Sequence, residues 1–239
     1  MTAFLDIAGR PGSDLLLIAD HASNHVPADI DLGIDPRLLG LHIAVDLGVA
    51  ELAAALNARI GCACILGGVS RLVVDLNREA DAPHIIPTAS DGHAIPGNAI
   101  GHDARQARIA RFWMPYHDHI RARIAADRPR LIISLHSFTP QLETAPDDAR
   151  PWQVGILYNT DDRAARLAIP MLADAGAIVG DQLPYSGKLL NATMNLHAEA
   201  NAIAYVGIEM RQDLIADDAG VGLWADRLAF VVESVARQI

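Results

Sequence analysis

The sequence is poor in features that mark several large classes of protein. It contains only two cysteines, and Cys62 and Cys64 are expected to be buried reduced thiols, because a disulfide across this spacing would be strained and two thiols do not make a structural zinc site. Basic residues number 19 against 29 acidic ones, for a formal net charge of −10. We therefore expect no sequence-independent binding of nucleic acid or of anionic membranes, since both require clustered Lys and Arg.

Long apolar runs are also missing. No segment approaches the ~18 uninterrupted apolar residues expected of a membrane-spanning helix, and residues 1–10 lack the basic and apolar regions of a signal peptide. These absences favour a soluble, cytoplasmic protein that acts on a small molecule. The sequence leaves the oligomeric state open.

One nucleotide-binding motif and one catalytic motif are absent as well. The loop at residues 21–27 contains too few glycines to bind a phosphate as a P-loop does. No Gly-x-Ser-x-Gly elbow is present, so Ser137 lacks the strained turn that a serine hydrolase of that type would use. These absences argue against phosphate binding by a P-loop and against a serine hydrolase of the elbow type.

What is present is an alternation of apolar strands and amphipathic helices. At 239 residues with 51% hydrophobic residues, the chain can bury one core, and we expect a single domain over residues 1–239. The fold class is α/β, with a mainly parallel or mixed sheet between two helical layers. The predicted strands are 15–19, 63–66, 72–76, 131–136, 153–158, 178–183 and 204–211, and the predicted helices are 36–59, 103–127 with an interruption at Pro115, 161–175 and one within 217–239.

Polar side chains follow several of these strands at the point where each strand ends. His21, Arg78, His136 and Glu209 lie at or just after such ends. In an open α/β sheet the carboxyl ends of the strands converge on the ligand site, so we expect these side chains to meet.

This set of residues is typical of a metal-dependent hydrolase. A catalytic zinc takes about three protein ligands and leaves a position for water. His21 and His136 are the best ligand candidates, and Asn24, Asp20 and Asp46 are alternatives for the third ligand.

The other polar residues suggest roles around that metal. Glu209 is suited to act as general base. Arg71, Arg78 and Arg211 could bind a carboxylate bidentately, and Tyr185 could donate a hydrogen bond to a substrate oxygen.

Four segments resemble the N-formylglutamate amidohydrolase family, which is itself related to the zinc carboxypeptidases. They are Asp20-His21 with Pro27 after it, the run from Ser70 to Arg78, Leu135-His136-Ser137, and the run from Gly207 to Leu214. The resemblance implies a carboxypeptidase-like fold and zinc-dependent hydrolysis of N-formyl-L-glutamate to formate and glutamate, a step of histidine degradation. It implies zinc, or another divalent metal, on His21 and His136, a substrate carboxylate on Asn77 and Arg78, and Glu209 as base. The first metal loop departs from the carboxypeptidase pattern, because Asn24 stands where those enzymes have a glutamate.

Two other functions remain open from the sequence. The same fold could act on another N-acyl amino acid or on a γ-glutamyl peptide. Alternatively, the arginines could hold a dicarboxylate in a non-catalytic binding protein, a reading supported by the amide of Asn24 at a ligand position.

Overall fold

The apolar strands form a mixed seven-stranded sheet in the order β1-β3-β2-β6-β9-β7-β8. A computed structural model describes residues 2–239 of the protein. A separate two-stranded hairpin, β4-β5, lies outside this sheet. The strands are β1 (Phe4–Ile7), β2 (Leu15–Ala19), β3 (Ala63–Gly67), β4 (Ala89–Ser90), β5 (His93–Ala94), β6 (Leu131–Phe138), β7 (Val154–Leu157), β8 (Val179–Asp181) and β9 (Ala204–Arg211).

The central strands β3, β2, β6 and β9 run parallel to one another. Strand β1 pairs antiparallel with β3, and β7 pairs antiparallel with β9. The carboxyl ends of β2, β6 and β9 therefore lie at one edge of the sheet, together with the start of β7. In the β6-β9 register, His136 is directly opposite Glu209.

Helices cover both faces of the sheet, which confirms the predicted three-layer α/β/α arrangement. Helices α1, α4 and α6 pack on one face and α3 and α5 on the other. Cys62 and Cys64 are free and buried on the first face, as predicted. Within residues 2–239, none of the helices is long and apolar enough to cross a membrane. The α-helices are α1 (Val49–Ile60), α2 (His102–Arg108), α3 (Met114–Asp127), α4 (Arg163–Asp174), α5 (Ala192–His197) and α6 (Asp218–Ala236).

The helix predicted over 36–59 is wrong in its first half. Pro36–Gly40 forms a 3-10 helix, turns follow, and α1 begins only at Val49. The backbone N–H of Asp46 donates to the carbonyl of His21 at 2.9 Å instead of bonding within a helix. Gly48 has a φ of 78° and lies against the Ile215 carbonyl, where a Cβ would clash, so glycine permits this break. The break brings Asp46 next to the end of β2.

The strand predicted over 72–76 is also wrong, although its residues are buried. The N–H of Val73 donates to the Ser70 carbonyl, and the N–H of Asp75 donates to the Ile85 carbonyl. A short apolar run can equally be a buried turn, because burial alone does not specify backbone geometry. This turn directs Asp75 towards the end of β2.

The helix predicted over 103–127 is present, and its irregular segment lies just before Pro115 rather than at it. A π-helical segment at Ile109–Trp113 joins α2 to α3, and the N–H of Met114 donates to the Ile109 carbonyl. Pro115 lacks an N–H and lies in the first turn of α3, where a missing donor is tolerated.

Candidate metal and substrate site

The site lies over one face of the sheet, where strands β6 and β9 end. Successive side chains of a strand point to opposite faces, so Ser134 and His136 of β6 share a face with Gly207 and Glu209 of β9. All four line a cavity of about 200 Å³, which α5 borders through Met194. The fold thus places two of the predicted site residues side by side.

His21 presents one ring nitrogen to the site and uses the other for orientation. Its Nε2–H donates to Asp75 Oδ1 at 2.7 Å. Its Nδ1 has no hydrogen-bond partner within residues 2–239 and lies 3.4 Å from Asp46 Oδ2. A carboxylate that fixes the tautomer of a histidine in this way is the usual support for a metal-binding imidazole.

His136 also lies between two carboxylates, but here Nδ1 makes the hydrogen bond and Nε2 has no hydrogen-bond partner in the described chain. Its Nδ1 lies 2.9 Å from Asp46 Oδ2, and its Nε2 lies 3.4 Å from Asp20 Oδ2. The two imidazole centroids are 5.1 Å apart. Asp20 is held in place by hydrogen bonds to Oδ1 from the hydroxyls of Tyr116 and Thr193. Asp20 therefore lies behind His136, as Asp75 lies behind His21.

Of the three alternatives for the third ligand, the structure brings Asp46 between the histidines. His21, Asp46 and His136 each offer a ligand atom within 4.8 Å of the others, and all three residues are buried. Asn24 does not reach them, because its side-chain amide donates to the Leu39 carbonyl at 3.1 Å. The sequence placed Asn24 in the metal shell, whereas the structure provides a carboxylate.

The charges at the site fit a divalent cation. Four buried carboxyl groups, those of Asp20, Asp46, Asp75 and Glu209, accompany only two guanidinium groups, Arg71 and Arg78. Burial alone would raise the pKa of Asp46, yet the charges and hydrogen bonds of His21 and His136 hold it well below its usual range. In the described chain, seven buried side-chain atoms lack hydrogen-bond partners, and four of them belong to this cluster, namely Asp20 Oδ2, His21 Nδ1, His136 Nε2 and Glu209 Oε2. Of these, His136 Nε2 and Asp20 Oδ2 face each other at 3.4 Å, whereas the free lone pair of His21 Nδ1 suits a bound cation.

The environment of Glu209 differs from that of the three aspartates. Its side chain is only 8% exposed. Burial raises its pKa to about 7, although the charge of His136 opposes this rise. A carboxyl group with a pKa near neutrality can both accept and return a proton at physiological pH.

The profile of the N-formylglutamate amidohydrolase family matches residues 13–216. The chain belongs to this family. No curated protein sequence matches it significantly. As a member of the family it is a hydrolase of the amidohydrolase type.

Two solved structures share the fold of this amidohydrolase. A gene product of Agrobacterium tumefaciens superimposes with a TM-score of 0.93 at 28% identity, covering 100% of this chain and 96% of the other. The N-formylglutamate amidohydrolase of Ralstonia eutropha JMP134 gives a TM-score of 0.71 at 19% identity, covering 100% and 98%. The α/β arrangement is therefore common to these proteins over nearly their whole length.

Most of the predicted substrate-binding residues line the cavity of the amidohydrolase. Arg71, Asn77, Arg78 and Tyr185 do so. Arg211 does not belong to its lining, because its guanidinium binds Asp213 at 2.8 and 3.1 Å. A further N–H of the same guanidinium donates to the Pro151 carbonyl at 3.3 Å.

The two arginines of the cavity differ in how far they are already paired. Arg71 binds Asp46 at 3.3 Å and Asp75 at 3.1 Å. The nearest carboxylate contact of Arg78 is 3.7 Å, to Asp75, and its side chain is 35% exposed. The Oδ1 of the adjacent Asn77 accepts from the N–H of Thr193, which leaves its NH₂ group able to donate. Arg78 and Asn77 are thus the pair available to an incoming carboxylate.

Sequence reasoning missed three residues of the site. Asp75 lies in the family-like run from Ser70 to Arg78, but the sequence predicted it to be part of a strand. His42 lines the cavity with Nε2 3.1 Å from Asp91 Oδ2, and Arg150 binds Tyr185. No local pattern marks either residue, since both lie in irregular segments.

Proposed function

We propose that the protein is a zinc-dependent hydrolase of N-formyl-L-glutamate that releases formate and glutamate. This proposal rests mainly on the buried cluster of His21, Asp46 and His136, which lies beside the unpartnered carboxyl oxygen of Glu209. Membership of the family and the Asn77–Arg78 pair in the same cavity support this proposal.

Three side chains would hold the metal, namely His21 through Nδ1, His136 through Nδ1, and Asp46. When bound, zinc supplies Lewis-acid chemistry and lowers the pKa of water towards neutrality. Imidazole and carboxylate ligands suit zinc, and they also accept other divalent metals. Asp75 and Asp20 keep the two imidazoles in the required orientation.

Glu209 performs the proton transfers. Its carboxylate accepts a proton from the attacking water as the oxygen adds to the formyl carbon. It then donates that proton to the amide nitrogen as the carbon–nitrogen bond breaks, which leaves formate and the amine of glutamate. A pKa of about 7 suits both halves of this cycle, because neither the acid nor the base form is strongly disfavoured.

Arg78 and Asn77 bind and orient a carboxylate of the substrate. A guanidinium and an amide present several N–H donors to the two carboxylate oxygens, and such charge-assisted bonds are strong and directional. Arg71 is engaged with Asp46 and Asp75, so its main effect is to fix the carboxylates around the metal site.

The experiment is a steady-state assay on N-formyl-L-glutamate with native, chelator-treated and zinc-reconstituted protein. We expect chelation to abolish hydrolysis and zinc to restore it. Glu209→Gln should retain metal but lose activity by about 10²-fold or more, because the amide cannot accept the proton. Activity that survives both treatments would contradict the proposal.

A substrate panel tests the alternative substrates. Formyl, acetyl and γ-glutamyl derivatives of the same amino acid are compared by kcat/KM. A higher kcat/KM for the acetyl or γ-glutamyl derivative would support a hydrolase with a substrate other than N-formyl-L-glutamate. Zinc-free protein that binds a dicarboxylate without hydrolysing any derivative would instead indicate the non-catalytic binding protein.

A further inference from the structure

Arg150 is a buried cation for which the chain supplies no counter-ion. Its side chain is 7% exposed. Nη1 donates to the Tyr185 hydroxyl oxygen at 3.0 Å and to the Thr139 carbonyl at 3.4 Å. No carboxylate of residues 2–239 lies within 4.0 Å of the guanidinium, whereas Arg71 and Arg211 each bind aspartates.

A buried guanidinium without a negative partner is costly, because it has lost solvent without gaining an opposite charge. Arg150 uses only Nη1 for hydrogen bonds to the described chain, so further N–H donors remain available. Its two partners, Thr139 and Tyr185, both line the cavity of the active site. An anionic ligand in that cavity would provide the missing charge.

Arg150 also fixes the hydroxyl group of Tyr185. Because the guanidinium donates to the hydroxyl oxygen, the hydroxyl hydrogen must point elsewhere, and it remains free to donate to a ligand. The guanidinium carbon lies 5.1 Å from the centroid of the Tyr185 ring. The ring is therefore held by a cation–π contact as well as by the hydrogen bond.

The backbone places this pair at the same edge of the sheet as the metal cluster. Arg150 precedes β7, whose first residue pairs with Met210 near the end of β9. Tyr185 follows β8 in a segment that crosses β7 closely, since a Cβ on Gly155 would meet the Leu183 carbonyl. Tyr185 thus borders the cavity on the β7-β8 side, and Arg150 reaches it through the Tyr185 hydroxyl.

We propose that Arg150 and Tyr185 form a second carboxylate subsite that recognises the side-chain carboxylate of an acidic N-acyl amino acid. This inference rests on the proposed function, in which Arg78 and Asn77 bind the other carboxylate. Tyr185 contacts the substrate oxygen through its hydroxyl, and Arg150 supplies the charge and orients that hydroxyl. The positive charges of Arg78 and Arg150 then balance the two negative charges of a dicarboxylate substrate.

The test compares N-formyl-L-glutamate with N-formyl-L-glutamine, which has the same shape without the side-chain charge. For Arg150→Met we expect kcat/KM on the glutamate derivative to fall about 30-fold, mainly through KM, and on the glutamine derivative less than about 3-fold. Arg150→Lys should restore part of the preference. Arg37→Met, which removes an arginine side chain that is 90% exposed, should leave the preference unchanged.

Tyr185→Phe provides a second variant with little risk to folding. We expect the preference for glutamate over glutamine to fall at least about 5-fold, because one donor to the carboxylate is lost. In a Tyr185→Phe background, Arg150→Met should cost clearly less than it does alone, since the two residues act together. An unchanged preference in Tyr185→Phe, or an equal loss on both substrates in Arg150→Met, would overturn the subsite.

Binding of an unreactive dicarboxylate separates this proposal from the proposed function. Calorimetry on the zinc-loaded protein compares glutarate with its monoamide. Stronger binding of glutarate that depends on Arg150 supports the subsite even if N-formyl-L-glutamate is not hydrolysed. Hydrolysis of N-formyl-L-glutamate with no effect of Arg150 on the glutarate preference would keep the function and reject the subsite.

Discussion

Asp46 connects both histidines of the site to an arginine. Its Oδ2 lies 2.9 Å from His136 Nδ1 and 3.4 Å from His21 Nδ1, and its Oδ1 lies 3.3 Å from Arg71. Burial acts against ionisation, but the neighbouring histidines keep the pKa low. Asp46 is therefore a carboxylate at neutral pH and can act as a metal ligand without first losing a proton.

We predict that Asp46→Asn lowers the zinc content from about one ion per chain to a small fraction, because an amide oxygen is a neutral and weaker donor than a carboxylate. Asn24→Ala should leave the zinc content unchanged, since Asn24 binds the Leu39 carbonyl instead. Elemental analysis after dialysis against metal-free buffer measures both. Loss of zinc in Asn24→Ala with retention in Asp46→Asn would assign the third ligand to Asn24.

At the scale of secondary-structure elements, Gly155 determines how the segment carrying Tyr185 packs on the sheet. A Cβ at Gly155 would meet the Leu183 carbonyl. The sheet therefore accepts the chain after β8 only because this position of β7 has no side chain.

We predict that Gly155→Ala shifts this segment, lowers thermodynamic stability by about 1–3 kcal/mol and raises KM through displacement of Tyr185. Gly101→Ala is the matched control, because a Cβ at Gly101 meets nothing within 4 Å. Urea unfolding and steady-state kinetics measure the two effects. An unchanged KM in a destabilised Gly155→Ala would show that the segment does not position Tyr185.

Helices α3 and α5 meet through two buried histidines. His117 Nε2–H donates to the Leu76 carbonyl at 2.9 Å, and its Nδ1 accepts from His197 Nε2–H at 2.8 Å. Burial lowers the pKa of His117 to about 4 and that of His197 to about 3. Both are neutral in the folded protein, and together they support the segment that leads into Asn77 and Arg78.

The pKa of His197 is lower in the folded protein than its ordinary value of 6.5. Below pH 6.5 the unfolded chain therefore binds a proton at this residue that the folded protein does not bind, and the free energy of unfolding falls as the pH is lowered towards the folded-state pKa. We predict that the stability difference between wild type and His197→Gln shrinks by about 2 kcal/mol from pH 8 to pH 5. Urea unfolding at both pH values measures it. The exposed His102→Gln serves as control, and a constant difference for His197→Gln would show that the buried pair is not what titrates.

The strands and helices that could be predicted from the sequence are those in which the pattern of apolar residues matches the burial of the element in the fold. The strand residues that lead to His21, His136 and Glu209 are apolar apart from Ser134, because helices cover both faces, and so these strands could be recognised. The segments 36–48 and 72–76 are also rich in apolar residues. Their backbone conformation, however, is determined by contacts with distant segments, such as the hydrogen bond from the Asp46 N–H to the His21 carbonyl. Those contacts have no local signature.

At the scale of the whole molecule, the candidate metal site forms only when distant segments come together. His21 lies 54 residues from Asp75, and Asp46 lies 90 residues from His136. For this reason the sequence indicated the two histidines but left the third ligand open among Asn24, Asp20 and Asp46. It also follows that an unfolded chain holds no preformed site, so metal affinity contributes to folding stability.

We predict that saturating zinc raises the melting temperature of the chelator-treated protein. A ligand at 100 times its Kd stabilises the folded state by about 2.7 kcal/mol, which corresponds to about 5–10 °C for a chain of this size. Calorimetry with and without zinc measures the shift. Asn24→Ala should keep it and Asp46→Asn should lose most of it, because only Asp46 lies between the two histidines. An equal shift in both variants would mean that zinc stabilises the protein from elsewhere on the chain.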